Sequence, residues 1–248
     1  MNSAGNDIVA LAAIDKQRTR HHRFYSKILS DAEQTLFGGL QPEAMPFENF
    51  VWLLWSIKES IYKYLKRTEP GLVFSPTRIE IRKVDVPNNP LAAASEETQW
   101  EGRETGSVKD FYKGIAFFDS RIFYFRSRVH ADFIATIVNK NEDFGNIWWG
   151  VRSIGHSDYL SQSTGVRAFV LDKLNAVLSA GKLPVRTFIP DGAASPEVMP
   201  VPGTLQIGKS LQGYPLVLKG AEEMTIPLSF AHHANFIAYS FYLDAHLQ

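Results

Sequence analysis

A six-residue repeat restricts the fold of this chain more than any other feature of its sequence. The segment HADFIA at residues 130–135 returns as HANFIA at residues 233–238, and five of the six positions are identical. A chance match between two apolar strands would give the same pattern. Because each copy ends a β-rich stretch in its own half of the chain, we favour two similar α+β halves related by a pseudo-twofold axis. A ligand site is then expected in the cleft between the halves.

Apolar residues that recur at three- and four-residue intervals predict three helices. The clearest begins near Asn49, a good N-cap, and runs through FVWLLWSIKESIYKYLKR to a stop at Pro70-Gly71. The other two are expected over residues 24–37 and residues 166–178.

Short apolar and β-branched runs predict the strands. They are expected at 8–13, at 78–84, in three runs between 111 and 138, and on both sides of a His-His-Ala-Asn turn at 232–235. Segments rich in Pro, Asn, Ser and Gly predict loops at 85–108 and 186–204. A change in composition over residues 139–156 predicts a boundary, which gives one half at 1–140 and the other at 150–248.

Composition excludes several classes of protein. The 248 residues are 45% apolar and 21% charged, as in ordinary globular proteins, and no apolar run is long enough to span a membrane. The 26 basic residues balance 26 acidic ones, so a global field for nucleic acid is not expected. The chain has no cysteine, which excludes disulfides, thiolate metal sites and cysteine nucleophiles. Since no targeting segment is recognisable, we expect a cytoplasmic protein.

Several separated polar residues suit phosphate chemistry. Asp7 and Glu59 offer hard oxygen ligands, and Mg²⁺ commonly takes one or two protein carboxylates together with waters and phosphates. Lys58 and Lys63 flank Glu59 on the clearest helix, where their charges would help to neutralise a polyphosphate. Two further polar residues, Ser229 and His232, lie near a predicted strand end. Taken singly, these residues are more typical of turns and solvated helix faces than of a functional site.

Together, these segments resemble the 4′-phosphopantetheinyl transferase superfamily. The signature of that family is an Asp in a Gly-x-Asp-Ile strand, followed by a helix reading Trp/Phe-x-x-Lys-Glu-Ser/Ala-x-x-Lys. Residues 5–9 and 55–63 match both parts, and residues 24–37 resemble the segment that the family places between them.

The other half of the signature is matched less completely. The family has a Ser-x-Ser-His stretch preceded by Gly-Lys/Arg-Pro, and the chain has these at 229–232 and 213–215. Ala231 stands where the family has its second Ser, and Tyr214 stands where it has a basic residue. Val9 stands where the large type of the family often carries a second acid, so a water would replace that metal ligand.

The order of the two halves differs from that of the large type. In the small type, the holo-acyl-carrier-protein synthases, the Asp strand comes first in a chain of about half this length. The large, surfactin-synthetase-activating type fuses two such halves with the Ser-His half first. This chain has the length of the large type but begins with the Asp half, so we expect a circularly permuted large-type enzyme that acts as a monomer.

The resemblance implies a reaction. The 4′-phosphopantetheine arm of coenzyme A would be transferred to a serine of an apo carrier protein, with release of adenosine 3′,5′-bisphosphate. Asp7 and Glu59 would hold Mg²⁺, and Glu59 would help to deprotonate the acceptor serine. Lys58 and Lys63 would stabilise charge on the pyrophosphate.

The resemblance also implies binding residues for both substrates. Ser229 and His232 would contact the phosphates of coenzyme A, and Arg167, assisted by Arg152, would bind the ribose 3′-phosphate. Carrier proteins are usually acidic around the modified serine, so the basic residues between positions 16 and 27 would attract them. A solvated surface would also explain this basic run.

Two other functions remain open. A homologue that binds coenzyme A or a carrier protein without catalysis would tolerate Ala231 and Tyr214. Another Mg²⁺-dependent phosphoryl or nucleotidyl transferase would use the same carboxylates, although the sequence has no GxxxxGK[ST] phosphate loop.

Overall fold

Three antiparallel sheets and five α-helices form the part of the chain that the computed structural model describes, namely residues 3–40, 45–88, 99–103, 111–179 and 204–243. The helices are α1 (Lys16–Thr19), α2 (His22–Tyr25), α3 (Asp31–Gly39), α4 (Phe47–Lys66) and α5 (Tyr159–Ser179). The strands are β1 (Gly5–Ala10), β2 (Ile79–Asp85), β3 (Gln99–Arg103), β4 (Tyr112–Phe118), β5 (Arg121–Val129), β6 (Phe133–Asn139), β7 (Ile147–Ser153), β8 (Leu205–Lys209), β9 (Pro215–Lys219), β10 (Glu222–Met224), β11 (Leu228–His233) and β12 (Phe236–Tyr242). The expected α+β class is confirmed.

The first sheet has the strand order β1-β6-β5-β4-β2. Helix α4 packs on β1 and β6 through its predicted apolar stripe, in which Phe50, Leu54 and Ile57 are fully buried. Every residue of β1 and β6 is buried, because the second sheet lies on the side of these strands away from α4. Neither strand therefore shows the alternation of apolar and polar residues that is typical of a half-exposed strand.

The second sheet has the order β11-β12-β7-β3, and a small third sheet has the order β10-β9-β8. Helix α5 packs on β12. Strand β3 corrects the sequence analysis, which assigned residues 85–108 to a loop. Its five residues pair with β7 at the sheet edge, and Trp100 packs against His130 and Phe133. Such long-range pairing leaves little signal in a short polar segment.

The six-residue repeat lies on two hairpin turns. Residues 130–133 connect β5 to β6, and residues 233–236 connect β11 to β12. The repeated phenylalanines, Phe133 and Phe236, contact each other with ring centroids 5.0 Å apart. The two copies of the repeat therefore meet in the interior.

Each turn makes the same kind of backbone contact to the residue that follows another strand. The carbonyl of Asp132 accepts a hydrogen bond from the amide of Leu11, just after β1, at 2.7 Å. The carbonyl of Asn235 accepts one from the amide of Ile154, just after β7, also at 2.7 Å. Strand β1 pairs antiparallel with β6, and β7 pairs antiparallel with β12, which is in each case the strand that follows the turn.

Two predicted helix boundaries were wrong. The helix expected over 24–37 is divided into α2 and α3, because Ser30 caps α3 by accepting from the amide of Glu33, whose carboxylate in turn accepts from the amide of Ser30. Helix α4 begins at Phe47 after Pro46, and Asn49 is therefore inside it rather than at its N-cap.

Most of the remaining predicted elements are confirmed. Strands β2, β4 to β6, β11 and β12 lie where they were expected, and α5 begins seven residues earlier than the predicted 166–178. Strand β1 ends at Ala10 and a short 3₁₀ turn completes the predicted run. The loop predicted at 186–204 lies outside the described residues except for Thr204. None of the helices in the described ranges combines the length and apolar character needed to cross a membrane.

Candidate functional site

Two carboxylates and a lysine form a cluster where β1 meets α4. The Lys63 Nζ lies 2.9 Å from Asp7 Oδ1 and 3.9 Å from Glu59 Oε1. Glu59 and Lys63 are one helical turn apart and so share a face of α4. Strand β1 can approach this helix closely because a Cβ at Gly5 would collide with the Ser60 carbonyl. The structure thus brings together three of the predicted site residues.

The surroundings of Glu59 favour its protonated form. Burial raises the pKa of Glu59, the ammonium of Lys63 opposes this rise, and the charge of Asp7 adds to it. A carboxylate with a raised pKa is a stronger base than an ordinary glutamate. The cluster therefore offers a proton acceptor beside a fixed positive charge.

An open pocket of about 450 Å³ lies over this cluster, and we call it the carboxylate pocket. Its walls come from β1, α4 and β11, so residues distant in sequence face one another across it. Its lining residues are Asp7, Ile8, Val9, Trp52, Trp55, Glu59, Lys63, Phe230, Ala231, His232 and His233. The cluster is thus bordered by aromatic side chains and two histidines.

A second pocket of about 320 Å³ adjoins the first, and we call it the cationic pocket. The two pockets share Lys63, Phe230 and His232, so they form one continuous site. The described lining residues of the cationic pocket include no carboxylate. They include five cationic side chains, which are Lys63, Lys66, Arg67, Arg167 and Lys209. A pocket of this composition suits a ligand with several negative charges.

Arg67 is held in the cationic pocket by the turn after β8. Its guanidinium lies 4.8 Å from the centre of the Tyr214 ring and donates a hydrogen bond of 3.3 Å to the Pro215 carbonyl. Gly213 has a φ of 90°, which glycine adopts readily, and this turn carries Tyr214 over Arg67. Burial lowers the pKa of Arg67, and Tyr214 and Glu223 oppose this effect. An anion would therefore stabilise this desolvated charge.

Strand β11 lies along the free edge of β1. The Ser229 Oγ accepts a hydrogen bond from the Asn6 amide at 3.3 Å, and the His233 Nδ1 accepts one from the Ala10 amide at 3.0 Å. His233 therefore carries its proton on Nε2 when neutral. These bonds join the strand that holds Asp7 to the strand that holds His232.

His232 faces both pockets in its neutral form. Burial lowers its pKa, the charges of Lys63 and His233 lower it further, and Asp7 opposes them. A neutral imidazole next to the cationic pocket can donate one hydrogen bond to a ligand oxygen.

Two predicted site residues lie elsewhere. Lys58 is fully buried, and its Nζ donates to Glu33 Oε2 at 2.7 Å and to the Ile28 carbonyl at 2.6 Å. Arg152 lies 4.0 Å from the centre of the Phe169 ring. Neither residue lines either pocket. The structure thus brings Arg167, Ser229 and His232 to the site, but not Lys58 or Arg152.

Three cationic residues of the site were missed in the sequence. Lys66 and Arg67 were interpreted only as favourable charges at the end of a helix, and Lys209 was not considered. The spacing could have found the first two, since they lie three and four residues after Lys63 and so extend its face of α4. Lys209 lies at the end of β8, and neither its spacing from other residues nor a motif indicates a role in the site.

The donor set for a metal ion is small. Among the described residues, no three His, Asp or Glu side chains are grouped so that they could hold a metal ion by themselves. Lys63 contacts both Asp7 and Glu59, which shows that one cation can reach both carboxylates. Two hard oxygen ligands suit Mg²⁺, which fills its other positions with water and phosphate oxygens.

The fold thus places a carboxylate–lysine cluster at one end of a cationic pocket. A family model described as the 4′-phosphopantetheinyl transferase superfamily matches residues 3–116, which include β1 and all of α4. This segment is therefore similar to that superfamily, and the resemblance seen in the sequence is confirmed over residues 3–116. No curated protein and no solved structure gave a match.

Proposed function

We propose that the protein transfers the 4′-phosphopantetheine arm of coenzyme A to a serine of an apo carrier protein. The observation that carries this proposal is the continuity of the site, in which a pocket with five cations ends at a carboxylate–lysine cluster. Coenzyme A carries three phosphate groups at one end, and only its pyrophosphate takes part in the transfer. The family match adds transferase activity as the general expectation.

The cationic pocket would bind the nucleotide end of coenzyme A. Arg167 of α5 and Lys209 of β8 line the wall that comes from residues 150–248, and their charges suit the 3′-phosphate. Lys63 lies beside the carboxylates, and its charge suits the pyrophosphate. Ser229 accepts from a backbone amide, which leaves its own hydroxyl proton for a phosphate oxygen. Arg67 stacks on Tyr214 and so brings a cation to the place where the family motif has a basic residue.

The reaction is a displacement at phosphorus. The carrier serine Oγ attacks the phosphorus that bears the pantetheine arm, and its proton passes to a carboxylate oxygen of Glu59. The new Oγ–P bond forms as the bond to the other phosphate breaks, and adenosine 3′,5′-bisphosphate leaves with that electron pair. Lys63 lies where it can stabilise the growing negative charge.

Asp7 and Glu59 would hold Mg²⁺, which when bound would neutralise charge on the pyrophosphate. The hydrogen bond from Lys63 Nζ to Asp7 Oδ1 would hold the Asp7 carboxylate in position.

We further infer that residues 1–140 and 150–248 form two halves related by a pseudo-twofold axis, in an order permuted from that of the large type. The matching turns and the contact between Phe133 and Phe236 support this inference. An axis of this kind brings equivalent residues of the two halves together. A fused pair of halves would also act as a monomer, which analytical ultracentrifugation tests.

The acidic carrier would approach over α1 and α2. Helix α1 borders the carboxylate pocket, since the indole of Trp52 donates to Thr19 Oγ1 at 3.0 Å. The basic residues on these two helices and beside them are all exposed: Lys16, Arg18, Arg20, His21, His22, Arg23 and Lys27. Charge of this sign would increase the association rate of an acidic partner.

Mass spectrometry tests the reaction directly. The protein is mixed with coenzyme A, Mg²⁺ and a panel of apo carriers from fatty-acid, polyketide and peptide synthesis, with an EDTA control. The proposal predicts a Mg²⁺-dependent gain of one phosphopantetheinyl group on at least one carrier. Absence of transfer to every carrier, together with absence of coenzyme A binding in calorimetry, would contradict it.

A second candidate is a homologue that binds coenzyme A without catalysis. Ala231 favours it, because this residue is buried and has no hydroxyl where the family has its second serine. Coenzyme A binding without transfer to any carrier would support this candidate.

A further inference from the structure

The turn between β11 and β12, which follows the two histidines of the site, has an unusual backbone conformation. His233 pairs with Phe236 across the turn, so Ala234 and Asn235 are its central residues. Ala234 has a φ of 51°, in the left-handed region that residues with a Cβ rarely adopt. Such a conformation persists only where the surrounding structure holds it. The turn therefore depends on contacts with other elements.

The first copy of the six-residue repeat shows the alternative conformation. The His130 amide donates to the Phe133 carbonyl, which places Ala131 in the position that Ala234 has in the second copy. The φ of Ala131 is not positive. In this turn the Asp132 amide donates to His130 Nδ1 at 3.2 Å. The same pattern of residues thus closes a turn without a left-handed alanine.

Contacts from two other elements replace that local hydrogen bond in the second copy. The His233 Nδ1 accepts from the Ala10 amide of β1, so its one lone pair is not open to the Asn235 amide. The side-chain amide of Gln162 on α5 donates to the Ala234 carbonyl at 2.8 Å. Gln162 is only 7% exposed, so water competes little for this bond. A buried glutamine therefore holds the residue that follows the two histidines.

The start of α5 also contacts the histidine that faces the pockets. Tyr159 lies three residues before Gln162, so the two side chains share a face of the helix. The Tyr159 ring meets the His232 imidazole edge-on, with ring centroids 6.4 Å apart. His232 lines both the carboxylate pocket and the cationic pocket. One face of α5 thus contacts both the turn and the imidazole that a ligand would meet.

We propose that Gln162 is a positioning residue, which holds Ala234 in its left-handed conformation and thereby keeps His232 directed at the ligand. Without this hydrogen bond, we expect Ala234 to relax to a negative φ, as in the first copy. Since His232 lies two residues before Ala234, its imidazole would then move relative to the pockets. The backbone role stands on these contacts alone, whereas the effect on coenzyme A binding rests on the proposed function.

Histidine side-chain NMR tests the backbone role without any ligand. In Gln162→Leu, which has a similar size but no donor, we expect the imidazole nitrogen signals of His232 and His233 to shift. The signals of His130, in the other copy of the repeat, should stay in place as an internal control. Adding Ala234→Gly should return the shifted signals toward their wild-type positions, because glycine adopts a positive φ readily. Unshifted His232 and His233 signals in Gln162→Leu would overturn the proposal.

A pair of glycine substitutions tests the turn with the glutamine in place. Ala234→Gly should not lower the thermal midpoint, because relief of strain at a positive φ offsets the greater flexibility of glycine in the unfolded chain. Ala131→Gly is the matched change in the first copy and should lower the midpoint, because no such strain is relieved there. Equal losses in the two variants would contradict a strained Ala234.

Calorimetry with coenzyme A tests the link to His232. Gln162→Leu should raise Kd about fivefold, as expected for one misplaced hydrogen-bond donor, and the control Ala131→Gly should leave it unchanged. In a His232→Ala background, Gln162→Leu should change Kd less than about twofold, because both substitutions remove the same contact. Equal effects in the two backgrounds would overturn the link. If the wild-type protein binds no coenzyme A, the proposed function fails, and the NMR spectra still decide the role of Gln162.

Discussion

Two lysines of helix α4 belong to one sequence motif but do different things. Lys58 is fully buried and bound by Glu33, whereas the Lys63 side chain is 25% exposed and contacts Asp7 in the site. Five residues at about 100° each place the two side chains about 140° apart around the helix. A motif that lists both lysines therefore combines a structural position with a chemical one.

On the side of α4 that carries Lys58, hydrogen bonds to Glu33 connect α4, α3 and β2. Glu33 accepts from Lys58 of α4, from the Ser30 amide at the start of α3 and from the Ile81 amide of β2. Burial lowers the pKa of Lys58, and the charge of Glu33 opposes this. The Lys63 side has the reverse character, since its groups border open pockets and retain capacity for a ligand.

The largest expected effect is on stability. Lys58→Met leaves the Glu33 carboxylate buried without its counter-charge, which should cost about 3–5 kcal/mol of unfolding free energy. Urea denaturation followed by circular dichroism measures it. A loss below about 1 kcal/mol would show that the buried pair contributes little.

Lys63→Met should affect activity more than stability. It removes the cation beside the pyrophosphate, so we expect transfer to fall about 100-fold. The loss of unfolding free energy should be smaller than in Lys58→Met, because Asp7 and Glu59 border an open pocket that water can enter. The same urea titration and the mass assay provide the two readings. Equal stability losses in Lys58→Met and Lys63→Met would remove the distinction between the two sides.

The sequence predicted one side of this comparison better than the other. Regular spacing gave the buried stripe of α4, and the family signature gave Asp7, Glu59 and Lys63. The partner of Lys58 is Glu33, 25 residues earlier, and the pairing of β3 with β7 joins residues 45 to 53 positions apart. Contacts of this kind depend on the tertiary arrangement, which neither spacing nor composition encodes locally.

Arg67→Ala tests a second cation on the side of α4 that carries Lys63 and borders the cationic pocket. This substitution removes a cation from the cationic pocket but leaves the cluster, so KM for coenzyme A should rise about tenfold with kcat within about threefold. The control is Arg82→Ala, since Arg82 pairs with Glu80 on the exposed face of β2. An unchanged KM in Arg67→Ala would remove this residue from the binding site.

The smallest expected effect concerns the charge of Glu59. Because burial raises the pKa of Glu59, its ionised form costs stability at neutral pH, and this cost disappears as the pH falls below about 4.3, the unfolded value. We therefore expect Glu59→Gln to raise the thermal midpoint at pH 7 by about 2 °C and to leave it unchanged near pH 4. Thermal unfolding at both values checks this. A lower midpoint at pH 7 would mean that the ion pair with Lys63 outweighs the burial of the charge.

We expect Glu59 to take part in the chemistry at the cluster it forms with Asp7 and Lys63. The most direct measurement is the mass of an apo carrier after incubation with coenzyme A, Mg²⁺ and either Glu59→Gln or the control Glu80→Gln, whose carboxylate pairs with Arg82 away from both pockets. We predict that Glu59→Gln loses at least about 100-fold in transfer rate, while it still binds coenzyme A, and that Glu80→Gln transfers normally. Normal transfer by Glu59→Gln would show that Glu59 takes no part in catalysis.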